Sequence, residues 1–273
     1  MVAHGSAFPV AKLALNNSVP PILMASLRMG IVFIILLPFL NFRLPQKKYF
    51  KPLIYFSFSM GVMVYVFMNL SLYYSSIISP IILGSQLAIP FGILASAFIL
   101  DENISKNKWI LIFTSFLGII IIFFDPILSK NLLGLFFASL MALFFGLAQV
   151  YSRQLNKLPI SLINASTGIF GFLILIFISI IIEGNLYSNF KMINTESWIL
   201  ISYQALIVSL CAHLLMFYLY KFYTVGRIFP FYSLFPIFGI ILTYLVFGEV
   251  PTLLFILGGI IVISSVFFLH KIK

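Results

Sequence analysis

The chain has 273 residues, 62% of them hydrophobic and 8% charged, with a mean hydropathy of +1.17 and a formal net charge of +10. Soluble domains carry about 25% charged residues, so this composition excludes an ordinary soluble globular protein. Apolar stretches near ~20 residues, long enough to cross a hydrocarbon core of about 30 Å as helices, recur throughout, and the short alternating strands of a barrel are missing. The expected fold is an all-α polytopic membrane protein.

In chain order, apolar runs between polar or turn-forming breaks predict ten spans, near 1–15, 20–40, 52–72, 77–100, 109–125, 132–152, 160–182, 198–220, 228–248 and 252–269. The first is short, reaching about 22 Å at 1.5 Å per residue. A charged amino terminus inside lipid is costly, so roughly ten or more further residues are expected ahead of it. Loops after the even-numbered spans hold twelve basic residues, including Arg43, Lys47, Arg153 and Arg227, whereas those on the other side hold only Lys130 and Lys191. Basic residues collect in cytoplasmic loops, so both termini are expected in the cytoplasm. That pattern explains the net charge better than a nucleic-acid partner would. A lone cysteine, Cys211, excludes an internal disulfide and a cysteine-based metal cluster.

One phrase occurs twice. Phe91-Gly92-Ile93 runs on to Glu102, and Phe238-Gly239-Ile240 to Glu249, each glycine preceding its glutamate by ten residues. Pro90 and Pro236 stand just before the two copies. Five spans per half is an odd number, so the second half is expected inverted relative to the first. The reading is two five-helix repeats, 1–130 and 131–273, with a substrate site near the midplane where they meet.

The residues resemble the EamA-type branch of the drug/metabolite transporter superfamily. Gly5-Ser6-Ala7-Phe8 with Ala11-Lys12-Leu13-Ala14-Leu15 is similar to that family's first-span pattern, with His4 where tryptophan is usual. Pro20-Pro21 leading to Ala25-Ser26-Leu27-Arg28 resembles its second span. Arg227-Ile228-Phe229-Pro230, Ser233-Leu234-Phe235-Pro236 and Gly248-Glu249 resemble its ninth, and Asp101-Glu102 its first acidic pair, with Asp101 where glycine is common. The resemblance covers nearly the whole chain. It implies ten helices in two inverted repeats and export or exchange of small metabolites. The ninth-span phrase looks most like the amino-acid and O-acetylserine/cysteine exporters.

Ionisable groups inside a membrane are expensive and face a cavity or a partner. Arg28 lies about 12 Å below the end of the second span; it either caps carbonyls of a broken helix or fixes a substrate carboxylate with its planar fork. Lys12 either snorkels to the headgroups or contacts substrate. His213, in the eighth span, is an interhelical hydrogen bonder or a proton-coupling residue, and relatives carry an aromatic at the resembling position. His4 has no metal-ligand spacing. Asn69, Gln86, Gln149, Tyr151, Asn164, Gln204 and Ser233 are interhelical glue or ligand contacts.

Pro80, Pro90, Pro230 and Pro236 are read as removing helix hydrogen bonds, making the fourth and ninth spans bending gates. Gly92, Gly118, Gly239 and Gly259 are read as points of close helix approach. Glu102 and Glu249 are read as structural acids that bind backbone or basic groups of neighbouring helices. No carboxylate falls in the middle of a span and no nucleotide phosphate-binding loop occurs. The expectation is alternating access without ATP hydrolysis, cofactor or metal.

The expected partners are a small, carboxylate-bearing solute, favoured by the positive potential of Arg28 and Lys12, and the lipid bilayer, with the chain a monomer or homodimer. An uptake permease for a nucleoside-like compound is the nearest alternative. A polytopic membrane enzyme would need clustered histidines or acids, and three scattered histidines with six scattered acids do not supply them.

Overall fold

Each helix begins where the sequence supplies a start and runs for as long as its side chains remain apolar. The computed structural model describes residues 1–39, 45–126, 131–212, 215, 234–269 and 271. After a helical turn at Val2–Gly5, α1 spans Ala7–Asn16 and α2 spans Pro21–Phe39. Then come α3 at Lys47–Tyr73, α4 at Ser79–Ile99, α5 at Lys106–Phe123 and α6 at Leu132–Gln154. The remainder are α7 at Ile160–Ile182, α8 at Thr195–Ala212, α9 at Phe235–Phe247 and α10 at Leu253–Leu269, with a short helix Leu186–Met192 between α7 and α8. No strand occurs among the described residues. The seven helices α2 to α8 are long and apolar enough to cross a membrane, while α9 and α10 are shorter apolar helices. The fold is thus the expected all-α polytopic one.

The boundaries have local causes. Pro21 opens α2 at a position whose N–H has no intrahelical partner. Ser105 and Asn194 cap α5 and α8, their side-chain oxygens accepting from the N–H of Lys108 and Ser197. The helix α9 stops at Gly248, which takes a left-handed φ of 69°. Asp101, just beyond α4, adopts the same kind of backbone at φ 54°. The departure from glycine at Asp101 therefore keeps the conformation that favours glycine, since aspartate tolerates it better than most residues.

Two of the four prolines are placed differently from the expectation. Pro80 and Pro236 sit in the first turn of their helices, where the missing N–H breaks no intrahelical bond. The irregular turn in α4 is a 3-10 stretch at Ser85–Leu87, and Pro90, four residues after Gln86, has no N–H to bond the Gln86 carbonyl, in line with the expectation for that proline. Pro230 lies outside the described residues. Two further irregularities carry no proline: α3 is π-helical over Ser57–Met63 and α8 over Gln204–Ala212. Such bulges occur frequently at functional sites.

Glycines set the helix crossings. Where the helical turn ahead of α1 meets α9, a Cβ on Gly5 would lie 2.7 Å from the Gly239 amide nitrogen. Where α6 crosses α4, one on Gly146 would lie 2.6 Å from the Gly92 nitrogen. The α5–α10 crossing pairs Gly118 with Gly258, whose added Cβ would meet the Gly118 carbonyl oxygen at 2.5 Å. The partner of Gly118 is Gly258, while Gly259, read as a point of close approach, faces the Leu83 side chain, 3.0 Å from an added Cβ. One apolar cluster, including Ala7, Leu27, Met68, Ile82, Met141, Val208 and Phe235, joins α1, α2, α3, α4, α6, α8 and α9.

Candidate functional site

Arg28 and Asp125 are the two most deeply buried charged side chains among the described residues, each only 3% exposed. Arg28 sits in the middle of α2, and the apolar run around it leaves the guanidinium no path to water along its own helix. Its Nε donates to the Ser209 hydroxyl at 2.9 Å, and the guanidinium carbon lies 4.3 Å from the centre of the Tyr65 ring. Tyr65 and Ser209 also approach each other, their hydroxyl oxygens 3.4 Å apart. Ser209 belongs to the π-helical stretch of α8, and Tyr65 follows the π-helical stretch of α3 by two residues. The two irregular helices thus converge on one buried cation.

The environment stabilises the charge only partly. A ring face and one hydroxyl offset part of its desolvation, but the Nη1 nitrogen is buried and has no hydrogen-bond partner. Among the described residues no carboxylate lies within ion-pair distance of it. A buried charge without a full set of partners is costly, and a planar anion would satisfy the free edge of the fork. Tyr65 and Ser209 were not singled out from the sequence. The available signal was register: Tyr65 lies one turn from Asn69, and Ser209 follows Gln204 on α8.

The other candidates divide. Asn69 donates from Nδ2 to the Pro21 carbonyl at 2.9 Å, and Gln204 from Nε2 to the Ala7 carbonyl at 2.5 Å. Both are buried, and the side-chain oxygen of each is unpartnered. Gln86 stands in the 3-10 stretch of α4 with its Oε1 likewise buried and unpartnered. Gln149 is half-buried on α6, Tyr151 stacks on Tyr55 at 5.1 Å, and Asn164 bonds back to Ile160 of its own helix. His213 and Ser233 lie outside the described residues. His4 is buried beside Gly5.

Lys12 is placed elsewhere than Arg28. Its ammonium donates to the carbonyls of Leu72 and Ser75, both at 2.7 Å, and so caps the end of α3. It lies within electrostatic reach of Glu249. Glu249 in turn accepts from the N–H of Ile78 at 2.8 Å and of Ser79 at 3.1 Å, and from the Ser79 hydroxyl at 2.9 Å. A carboxylate is favourable there, at the start of α4. Glu183, passed over in the sequence, does the same for α2 by accepting from Ile22 at 2.6 Å and Leu23 at 2.9 Å. Asp125 accepts from the Thr252 hydroxyl at the same end of the bundle, where Ser79, Glu249 and Phe255 help to line a pocket.

At the opposite end of α4, Glu102 pairs with Arg153 at 2.8 Å, with both side chains about half exposed. The Ser96 hydroxyl first, and then the Arg153 guanidinium, hold the Glu102 carboxyl below the usual carboxylate range. Arg153 follows Gly146 by seven residues, as Lys12 follows Gly5. No group of three or more metal-ligating side chains occurs among the described residues.

The sequence model of the EamA-like transporter family matches residues 1–124 and 132–270, and the chain belongs to that family. It is therefore a multi-pass membrane transporter of small molecules. A solved structure described only as "Crystal structure of protein" is similar over 97% of this chain and 93% of its own, at 14% identity and a TM-score of 0.61. That likeness is one of fold. No curated protein matches the chain.

Proposed function

We propose that the chain exports or exchanges small carboxylate-bearing metabolites, amino acids or their derivatives, and that Arg28 holds the carboxylate. The observation that carries this reading is the buried, unpartnered Nη1 of Arg28, braced by Tyr65 and Ser209 between two π-helical stretches. An uncharged solute would leave that cation as costly as it is now.

Transport proceeds by alternating access of two inverted repeats, 1–130 and 131–273. The swapped crossings support this: Gly5 on the first helix of one half meets Gly239 on the fourth of the other, and Gly146 meets Gly92 in the reciprocal way. Further support comes from π-helical stretches in the third helix of each half and from left-handed residues ahead of Glu102 and Glu249. The basic-loop asymmetry supports an orientation with both termini cytoplasmic; the membrane in this reading is a bacterial inner membrane. The absence of a nucleotide phosphate loop from the sequence supports movement without ATP hydrolysis.

The test is efflux and uptake of labelled metabolites in proteoliposomes, with Arg28→Ala and Arg28→Lys as controls. Carboxylate-bearing solutes should move in the unsubstituted protein. Arg28→Ala should abolish their transport, and lysine, lacking the planar fork, should restore little of it. Transport of carboxylates at an unchanged rate by a folded Arg28→Ala protein would sink the assignment.

A further inference from the structure

Buried side-chain amides ordinarily satisfy both their donor and acceptor groups. Asn69 and Gln204 do not, and the way they fail is the same. Each gives its NH2 group to a backbone carbonyl, Pro21 for Asn69 and Ala7 for Gln204. A carbonyl only accepts, so the orientation of both amides is fixed by chemistry and the oxygens are necessarily the free ends. Asn69 is 2% exposed and Gln204 fully buried, so water does not serve those oxygens from the surface.

Their placement follows that of Arg28. Asn69 lies one helical turn along α3 from Tyr65, whose ring covers the guanidinium. Gln204 opens the π-helical stretch of α8 that carries Ser209, the acceptor for Arg28 Nε. Both are displaced from those contacts by about 6–8 Å along their helices. Ala7, Leu27, Met68 and Val208, beside or bonded to these polar groups, pack in a single cluster. Two buried acceptors thus sit on the helices that supply the contacts of the buried donor, each about one turn or slightly more along its helix from the residue that touches Arg28.

We propose that the carboxamide oxygens of Gln204 and Asn69 form a subsite for the ammonium group of a substrate whose carboxylate is held by Arg28, so that the cargo is zwitterionic. This rests on the reading of Arg28 given above. The neutrality of the subsite has a reason. A buried carboxylate in its place would pair with Arg28 and quench the anion site, whereas amide oxygens accept N–H donors and leave the guanidinium free.

The experiment is calorimetric binding to the full chain in lipid nanodiscs, with a panel of α-amino acids, the matching carboxylic acids without the amino group, and the matching amines without the carboxyl group. At least one amino acid should bind about tenfold or more tighter than its deaminated acid, the scale of a charge-assisted hydrogen bond. Gln204→Met should shrink that ratio several-fold while leaving the affinity for the acid unchanged. Equal binding of amino acid and acid by the unsubstituted protein overturns the subsite and leaves the Arg28 assignment standing. Binding of amines but of no carboxylate, with loss in Gln204→Met, overturns the Arg28 assignment and keeps the subsite as a cation site. Equal weakening of acid and amino acid by Gln204→Met, or no binding by any member of the panel, also overturns the subsite. The comparison within the unsubstituted protein does not depend on the variant folding.

Discussion

Gly146 and Gly92 meet unequally. A methyl group on Gly146 would lie 2.6 Å from the Gly92 nitrogen and 2.8 Å from the Ala88 carbonyl oxygen, whereas one on Gly92 would lie 3.5 Å from the Gly146 Cα. The first is a backbone clash and the second an ordinary contact. Gly146→Ala should therefore cost about 1–3 kcal/mol through overpacking, and Gly92→Ala should be nearly neutral. Unfolding of the two variants in the same detergent or bilayer ranks them. The reverse order would mean that α4 and α6 do not cross here as described.

Glu249 binds the start of α4 through two backbone N–H groups and one hydroxyl. Glutamine in its place keeps one oxygen and turns an NH2 group toward donors. Glu249→Gln is expected to lose about 1.5–3 kcal/mol, the worth of a hydrogen bond to a charged group. Ser79→Ala removes only the hydroxyl and should lose less. A Glu249→Gln protein as stable as its parent would show that the carboxylate does not hold α4.

Two residues in matching places share a left-handed backbone, one with a side chain and one without. Gly248 has φ 69° and Asp101 has φ 54°, each immediately before a glutamate. Nothing lies within 4 Å of a Cβ built on Gly248, so the cost of Gly248→Ala is conformational, about 1–2 kcal/mol. Asp101→Gly relieves the same kind of strain and should be neutral or stabilising by less than about 1 kcal/mol. Thermal denaturation of both variants checks the pair, and an alanine tolerated at 248 contradicts the assigned backbone.

The Glu102–Arg153 ion pair carries a pH dependence of definite sign. The folded carboxyl titrates below its ordinary value because of Ser96 and Arg153. Its stabilisation is therefore fully present above the ordinary value of about 4.3 and is lost as the pH falls through the lower folded one. Side-chain exposures of 59% for Arg153 and 48% for Glu102 keep it small, at most about 1 kcal/mol. The stability gap between the parent and Glu102→Gln should be small at neutral pH and vanish in strong acid. A gap that widens on acidification would contradict the pairing.

The helices were legible because a bilayer imposes long uncharged runs, and α2 to α8 fall close to the expected spans. Arg28 was legible for the same reason, as a charge where charges are costly. Its partners were not, since Tyr65 and Ser209 come from other helices and look like any tyrosine or serine in a span. The π-helical stretches have ordinary composition, Ser57-Phe58-Ser59-Met60-Gly61 in one case, and leave no local sign. Gly258 and Gly259 illustrate the limit. Adjacent residues point about 100° apart on a helix, and only packing decides which one faces Gly118.

The docking of the amino-terminal helical turn on α9 bears on how the protein is made. Synthesis delivers the amino terminus first, yet Gly5 docks on Gly239 and Ala7 receives Gln204, both late in the chain. Arg28 likewise enters the bilayer before Ser209 has left the ribosome, and the capping carboxylate of Glu183 is still to come. The helix α2 has to partition into lipid on its own apolarity, carrying an unsupported guanidinium. Its best window has a mean hydropathy of 2.3, second only to the 2.6 of α7 among the seven helices α2 to α8. Those aliphatic side chains answer to the insertion machinery before they have neighbours to pack against.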